Sequence, residues 1–202
     1  EVMMQAKTFD VQIELLSDML GTVPKDKEVF KTFVESKKPS TEDEDESLTV
    51  EQIEEKGWTG FHVDAEKGLF IYNYMIKGFI KNAANVFKDD PEIKVKAFRS
   101  KIDDLLFIAP RKIFLGMKES VNYLERPIRV MTMQGPRVAL IRSDICPAGT
   151  ALGFQIRIFI QEKFKVEHIR RLFAYGEDLG LGQWRNGGYG QFKTLRFEEV
   201  MA

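Results

Sequence analysis

The sequence predicts an α+β fold with an elaborated βαββαβ arrangement. Apolar side chains recur at every second position in 9–15 and 154–160, which is typical of half-buried strands. They recur at three- and four-residue spacing in 75–87 and 166–175, which indicates helices with one buried face. The order of strand, helix, further strands, second helix and closing strand is that of a βαββαβ unit.

The segment after the first strand is predicted to be an insertion. The strand pattern breaks at Gly21, and residues 21–59 contain a possible short helix at 26–35 and an acid-rich stretch. We expect 37–47 to be mobile, because it combines high charge with few apolar residues.

The remaining elements follow from local signals. Two short strands, 61–64 and 69–73, flank the turn 65–68, whose closing glycine predicts a hairpin. The middle of the chain is predicted to contain a short helix and several strands, at 101–106, 112–115, 128–131 and 138–141. A glycine-rich loop and a strand at 191–200 complete one domain, which we place at 8–200.

Composition excludes several classes of protein. A single cysteine, Cys146, excludes an internal disulfide framework, and the two histidines leave no Cys/His cluster with zinc-ligand spacing. No run approaches the roughly 20 apolar residues of a membrane span, and no charged-then-apolar leader opens the sequence. We therefore expect a soluble, cytoplasmic protein without a membrane partner.

Charge is distributed unevenly along the chain. The net charge is -1, but 42–55 contains eight acidic residues and neither Lys nor Arg, which leaves +7 on the remainder. A basic body with an acidic loop fits a nucleic-acid-binding protein. A solvated acidic loop on an ordinary protein gives the same pattern.

The glycine-rich stretch 180–190 carries the most specific chemistry. Glycines permit positive φ and close approach of backbone amides, so the loop can cradle phosphates. Arg185 would supply charge, and Trp184 or Tyr189 a face for a stacked base. A tight helix-to-strand connection with several left-handed turns explains the same glycines.

This stretch has the pattern G-h-G, five residues, G-h-G, in which it resembles the RAMP superfamily. Two further stretches resemble the backbone subunit of type III CRISPR effector complexes. Ile76–Lys81 is similar to the family's h-K-G-x-h-R/K, and Pro147–Thr150 precedes an alternating strand. The resemblance spans most of 8–200 and implies a ferredoxin-like (RRM-like) core with an insertion after the first strand and a C-terminal glycine-rich loop.

The resemblance also implies partners. It implies a protein that binds single-stranded RNA or DNA along the backbone, with self-association into a filament or membership of a multi-subunit ribonucleoprotein. Lysines near a helix start and free loop amides form a favourable anion site, although a solvated helix face would carry the same lysines. The residues implied to meet nucleic acid are Lys77, Lys81, Gly180, Gly182, Trp184, Arg185, Gly187, Gly188, Tyr189 and Gly190.

The chain departs from the family pattern at three places. It has Tyr72–Met75 where the family usually has Pro-Gly-Ser-Ser, Gly187 where many members have Arg, and Gln191 where Lys is common. These changes weaken the phosphate-binding surface. They are consistent with a divergent member that stands alone or is encoded by a virus.

Catalysis has few candidate residues. His62 and His168 both lie far in sequence from the glycine loop and from the end of the first strand, so a histidine general acid or base is disfavoured. Asp26 is comparable to the aspartate with which type III backbone subunits cut RNA, and Mg²⁺ would then be its cofactor. Aspartate at such a place is also a common helix cap.

Nucleophile elbows, Walker loops and dinucleotide fingerprints are absent from the sequence, and no other cofactor is predicted. Three hypotheses therefore stand beside one another. They are a nucleic-acid-binding module, a metal-dependent endoribonuclease that uses Asp26, and a non-catalytic mimic or inhibitor whose acidic 42–55 loop occupies a partner's basic groove.

Overall fold

The computed structural model describes residues 5–25, 54, 57–90, 93, 95–132 and 135–200. Asp26, the predicted short helix at 26–35 and the predicted mobile segment 37–47 lie outside these residues, as does most of the acidic window 42–55. The predicted α+β class is confirmed by helices and mostly antiparallel sheets along the described chain.

The helices in chain order are α1 (Asn73–Val86), α2 (Phe98–Leu105) and α3 (Val166–Leu179). Single 3-10 turns lie at Phe87–Asp89 and Arg185–Gly187. The strands are β1 (Ala6–Leu15), β2 (Met19–Leu20), β3 (Val23–Pro24), β4 (Thr59–Gly60), β5 (His62–Asp64), β6 (Gly68–Tyr72), β7 (Leu106–Ala109), β8 (Lys112–Phe114), β9 (Tyr123–Thr132), β10 (Gly135–Cys146), β11 (Ala151–Phe159) and β12 (Phe192–Glu199).

A four-stranded antiparallel sheet forms the core, with strand order β12-β1-β11-β7. The alternation predicted for β1 is confirmed, since Phe9, Val11, Ile13 and Leu15 are all buried while the residues between them are half-buried. Apolar residues on one face of the sheet pack under the helices. The opposite face is mostly polar, although Phe107 and Phe159 contact each other on it. Burial of that single apolar face fixes the strand register.

Helices α1 and α3 cover the apolar face of the core sheet and pack against each other. The predicted apolar stripe of α1 is confirmed, because Ile76, Phe79 and Ile80 are buried in it. Phe79 packs against the backbone of Gly176 in the last turn of α3, where a Cβ would lie 2.5 Å from the phenylalanine ring. The helices run antiparallel, so the start of α1 and the end of α3 lie at the same end of the core.

The strands β9 and β10 form a long hairpin, which we call the arm. Its register runs from Tyr123 opposite Asp144 to Thr132 opposite Gly135. At its base β10 also pairs with β2 and β4. The sequence predicts only short strands here, because prolines and arginines interrupt the apolar pattern of both strands.

The predicted hairpin after the insertion is also confirmed. It is formed by β5 and β6, and β8 adds a third antiparallel strand. Among the helices that the structure describes, none is long and apolar enough to cross a membrane.

Candidate nucleic-acid interface

The glycine-rich loop, residues 180–190, closes tightly on its own backbone. A Cβ at Gly190 would lie 1.8 Å from the carbonyl oxygen of Leu181, and one at Gly182 would lie 2.6 Å from the carbonyl oxygen of Leu20. Only glycine fits these two places, because both also require positive φ. These glycines therefore shape the loop, as a tight helix-to-strand connection demands.

Several amides of the glycine-rich loop donate hydrogen bonds inside the protein. Leu181 N–H donates to the Gly190 carbonyl at 2.9 Å, and Gly190 N–H donates to the Asp18 carbonyl at 2.8 Å. The amides of Gly187 and Gly188 close the 3-10 turn at 2.9 Å each. These four amides are already satisfied, so the loop offers side chains rather than these groups to a ligand.

The turn after β1 joins two of the sequence motifs. Ser17 Oγ donates to the Gly188 carbonyl at 2.7 Å, and the Asp18 carbonyl receives Gly190 N–H. Asp18 Oδ1 accepts Ala148 N–H at 2.9 Å, which ties down the Pro147–Thr150 turn. The structure thus brings the glycine-rich loop and the Pro147–Thr150 turn together at one end of the core.

Trp184 is the most exposed aromatic side chain of the loop. It has a left-handed backbone, with φ +49°, a conformation that costs a non-glycine residue about 1–2 kcal/mol. Its ring stacks on Tyr189 with centroids 5.3 Å apart and planes 12° apart, and a Cβ at Gly187 would lie 3.0 Å from it. The indole nevertheless remains 46% exposed. The loop therefore holds a rigid aromatic platform at the surface.

An arginine of the arm lies against this platform. The guanidinium carbon of Arg126 is 4.9 Å from the centre of the Trp184 ring, and its Nη2 donates to Gln183 Oε1 at 3.0 Å. Its Nε is buried without a hydrogen-bond partner, and burial lowers the pKa of Arg126 from its ordinary value. Among the described residues, no carboxylate lies within 4 Å of this guanidinium.

Arg185 adds a second cation beside Trp184. Its side chain is half-buried, and in the described part of the chain it forms no ion pair. We refer to Arg126, Trp184, Arg185 and Tyr189 as the aromatic–arginine cluster. Sequence analysis missed Arg126, because nothing local distinguishes it from other strand arginines and only the tertiary fold brings it to the loop.

The two lysines predicted on α1 face a different neighbour. Lys81 Nζ donates to Asp103 Oδ2 on α2, and Lys77 Nζ donates to the Asp103 carbonyl at 2.9 Å. The hydrogen bond from Lys81 lowers the pKa of Asp103, and burial lowers the pKa of Lys77. Phe79, about 200° around the helix from each lysine, faces α3. No contact in the described chain joins these lysines to the aromatic–arginine cluster.

The two candidate catalytic histidines lie in different elements, His62 in β5 and His168 in α3. His62 lies between Phe70 and Tyr72, and burial lowers its pKa. His168 Nδ1 accepts Lys165 N–H at the start of α3. Asp26 lies outside the described residues, within which no group of three or more His, Cys, Asp or Glu side chains is placed to hold a metal.

No protein-family model matches this sequence, and a search of curated proteins finds no match. The fold is similar to that of a chain in the cryo-EM structure of the type III-B Cmr-beta bound to cognate target RNA, with a TM-score of 0.53 and 12% sequence identity. The match covers 97% of this chain and 61% of that chain, so this chain spans about three-fifths of its length. At this identity the likeness is one of fold.

Proposed function

We propose that this protein binds single-stranded RNA through the aromatic–arginine cluster, on a ferredoxin-like core of the RAMP type. The observation that carries the proposal is Arg126. Its guanidinium is held over Trp184 with a buried, unsatisfied Nε and without a carboxylate partner among the described residues. A phosphate oxygen at the guanidinium group would balance this charge.

The topology of the core supports the finer description of the fold. The strands β1, β7, β11 and β12 are the four strands of a βαββαβ unit, with α1 and α3 as its crossovers. In the sheet order β12-β1-β11-β7, the fourth strand of the unit (β12) lies beside the first (β1). The third strand (β11) lies between the first and the second (β7). This is the arrangement expected of a ferredoxin-like unit.

The chemistry of the cluster suits an extended single strand better than a duplex. Tyr189 and Arg126 already lie against the Trp184 ring, so a base would pack on the part of the ring that they leave exposed. Every base has a flat π-face, so this packing needs no particular sequence. Arg126 and Arg185 would contact the neighbouring phosphates, and binding would weaken as salt rises. We therefore expect little sequence preference and strong salt dependence.

The preference for RNA over DNA and the assembly are part of the same proposal. The similar solved chain belongs to a structure that contains target RNA, which supports RNA as the strand. The exposed side chains Met131, Val138 and Leu140 lie on one face of the arm. They share this face with the exposed Arg129. Exposed apolar side chains of this kind would be covered in an assembly, which supports a subunit of a filament or ribonucleoprotein.

The test is a fluorescence anisotropy titration with labelled 20-nucleotide oligouridine and oligothymidine at several salt concentrations. Arg126→Gln and Arg185→Gln should each weaken binding and lower the slope of log Kd against log salt by about one. Arg157→Gln is the matched control, because Arg157 also lies over a ring, 5.1 Å from that of Phe159, but on the outer face of the core sheet.

We expect Arg157→Gln to bind like the wild-type protein, and thermal melting would establish that all three variants fold. RNA bound more tightly than DNA would support the choice of strand, and the reverse order would replace RNA with DNA. A wild-type protein that binds neither strand would contradict the proposal. So would unchanged affinity and salt slope in both Arg126→Gln and Arg185→Gln.

A further inference from the structure

A second group of aromatic side chains leads across the sheet β5–β6–β8 to the start of α1. His62, Phe70 and Phe114 occupy one cross-strand row, and Tyr72 lies in the next row on the same face. Phe70 packs against His62, Tyr72 and Phe114, with ring centroids 5.3, 5.1 and 5.8 Å away. Only 3% of Phe70 is exposed, so this part of the group is a packed core.

The group ends in an exposed ring. Tyr74, in the first turn of α1, stacks on Tyr72 with centroids 5.4 Å apart and planes 23° apart. It is 59% exposed, and within the described chain Tyr72 is its one ring neighbour. The packed rings below fix the position of Tyr72, and Tyr72 in turn supports Tyr74. Tyr72 and Tyr74 thus form a stacked pair, which we call the open stack, because its outer ring is exposed to solvent.

Three cations lie on this group, and they differ in where they lie and in how their charge is balanced. Lys67 lies over Phe114, at the far end from Tyr74, at 5.4 Å. Lys112 lies over Phe70 at 4.9 Å, and its Nζ donates to Asp64 Oδ2 at 2.6 Å. Arg111 lies over Tyr72 at 5.5 Å, is exposed, and has no carboxylate within 4 Å among the described residues. Arg111 therefore places a positive charge without a carboxylate partner beside Tyr72 and Tyr74.

The open stack lies at the same end of the core as the aromatic–arginine cluster. Phe79, in the second turn of α1, packs against Gly176 in the last turn of α3. Tyr74 lies five residues before Phe79, about 1.4 turns along α1 and about 140° around it, so it is on the side of α1 that faces away from α3. The glycine-rich loop begins directly after α3. A strand bound at Trp184 would reach Tyr74 by passing around the start of α1, at the same end of the core.

We propose that Tyr72 and Tyr74 form a second stacking subsite for the bound single strand. An unpaired base packs on the open face of Tyr74, and Arg111 holds the adjoining phosphate. Exposed aromatic rings can stack on flat bases, and a guanidinium without a carboxylate partner attracts phosphate. A single-stranded nucleic acid offers both groups, whereas a protein surface with few acidic residues offers neither. This inference rests on the proposed function and adds a second contact for the same strand.

The experiment compares Tyr74→Ala, Tyr74→Phe and Arg111→Gln by anisotropy with oligouridine, with Trp184→Ala measured in parallel. Loss of one stacked base should raise Kd about 5- to 150-fold in Tyr74→Ala. Tyr74→Phe keeps the ring and should stay within about twofold of wild type. Arg111→Gln should lower the salt slope by about one. Circular dichroism melting would show that each variant folds.

A scan with single abasic sites identifies the contact itself. At one position, removing the base should raise the Kd of the wild-type protein. The same abasic strand should not raise the Kd of Tyr74→Ala any further, because the contact between that base and the Tyr74 ring is already lost. If Trp184→Ala weakens binding while Tyr74→Ala and Arg111→Gln do not, this inference is overturned and the proposed function stands. If the wild-type protein binds no single strand, both are overturned.

Discussion

Replacing Gly190 with alanine should destabilise the protein far more than the same change at Gly188. Both glycines have a left-handed backbone, with φ +74° and +83°. Alanine in that conformation costs about 1–2 kcal/mol at either position. A Cβ at Gly188 meets nothing within 4 Å, so Gly188→Ala should lose little beyond that amount.

The larger effect at Gly190 comes from the closeness of Leu181. A Cβ at Gly190 would lie 1.8 Å from the Leu181 carbonyl oxygen, so the loop has to open. Opening breaks the hydrogen bonds from Leu181 N–H to Gly190 and from Gly190 N–H to Asp18, each worth about 1 kcal/mol net. Together with the backbone cost, Gly190→Ala should lose about 3–4 kcal/mol.

Urea unfolding followed by far-ultraviolet circular dichroism measures both variants, because the signal does not depend on the loop tryptophan. The dependence of the free energy of unfolding on urea concentration should have the same slope in both variants as in wild type. Differences between the unfolding midpoints then report differences in stability. If Gly190→Ala and Gly188→Ala lie within about 1 kcal/mol of each other, the steric argument for the glycine-rich loop is wrong.

Three further measurements test other parts of the structure. The hydrogen bond from Lys112 lowers the pKa of Asp64 from 3.8 to about 2. The ionised Asp64 carboxylate therefore stabilises the folded protein above pH 3.8, and this stabilisation is lost as the pH falls toward 2. The melting temperature should drop less between pH 5 and pH 2 in Asp64→Asn than in the wild-type protein. Burial raises the pKa of the Cys146 thiol to about 11. A disulfide reagent at pH 8 should therefore label Cys146 only after the protein unfolds. Rapid labelling of the native protein would contradict the burial of this thiol. Gly176→Ala should lower the free energy of unfolding, measured by urea titration, by about 1–2 kcal/mol. The added methyl group crowds the Phe79 ring, and this cost outweighs the higher helix propensity of alanine. A variant more stable than wild type would contradict the packing of Phe79 on Gly176.

Elements with a strong period were predictable from the sequence. The alternation in β1 and the three- and four-residue spacing in α1 identify one buried face, and tertiary packing uses that same face. The end of α3 was less predictable. The helix runs to Leu179, beyond the predicted 175, because Gly180 with φ +76° ends it.

The arrangement of the candidate site was less predictable than the fold. Trp184 and Arg185 carry a local signal, since they lie in a glycine-rich loop. Arg126 lies 58 residues earlier on a strand whose pattern is interrupted, and only the pairing of the arm brings it to Trp184. The sequence likewise places Lys77 on a polar helix face without indicating that Asp103 balances its charge.

The most direct test of the central claim is photocrosslinking of the wild-type protein to single-stranded RNA that contains 4-thiouridine, followed by mass spectrometry of the linked peptides. We expect crosslinks to Trp184 or Tyr189 in the glycine-rich loop, and we expect them to be lost when Arg126→Gln is used at the same RNA concentration. Crosslinks confined to residues outside the aromatic–arginine cluster, at a concentration where RNA is bound, would contradict it.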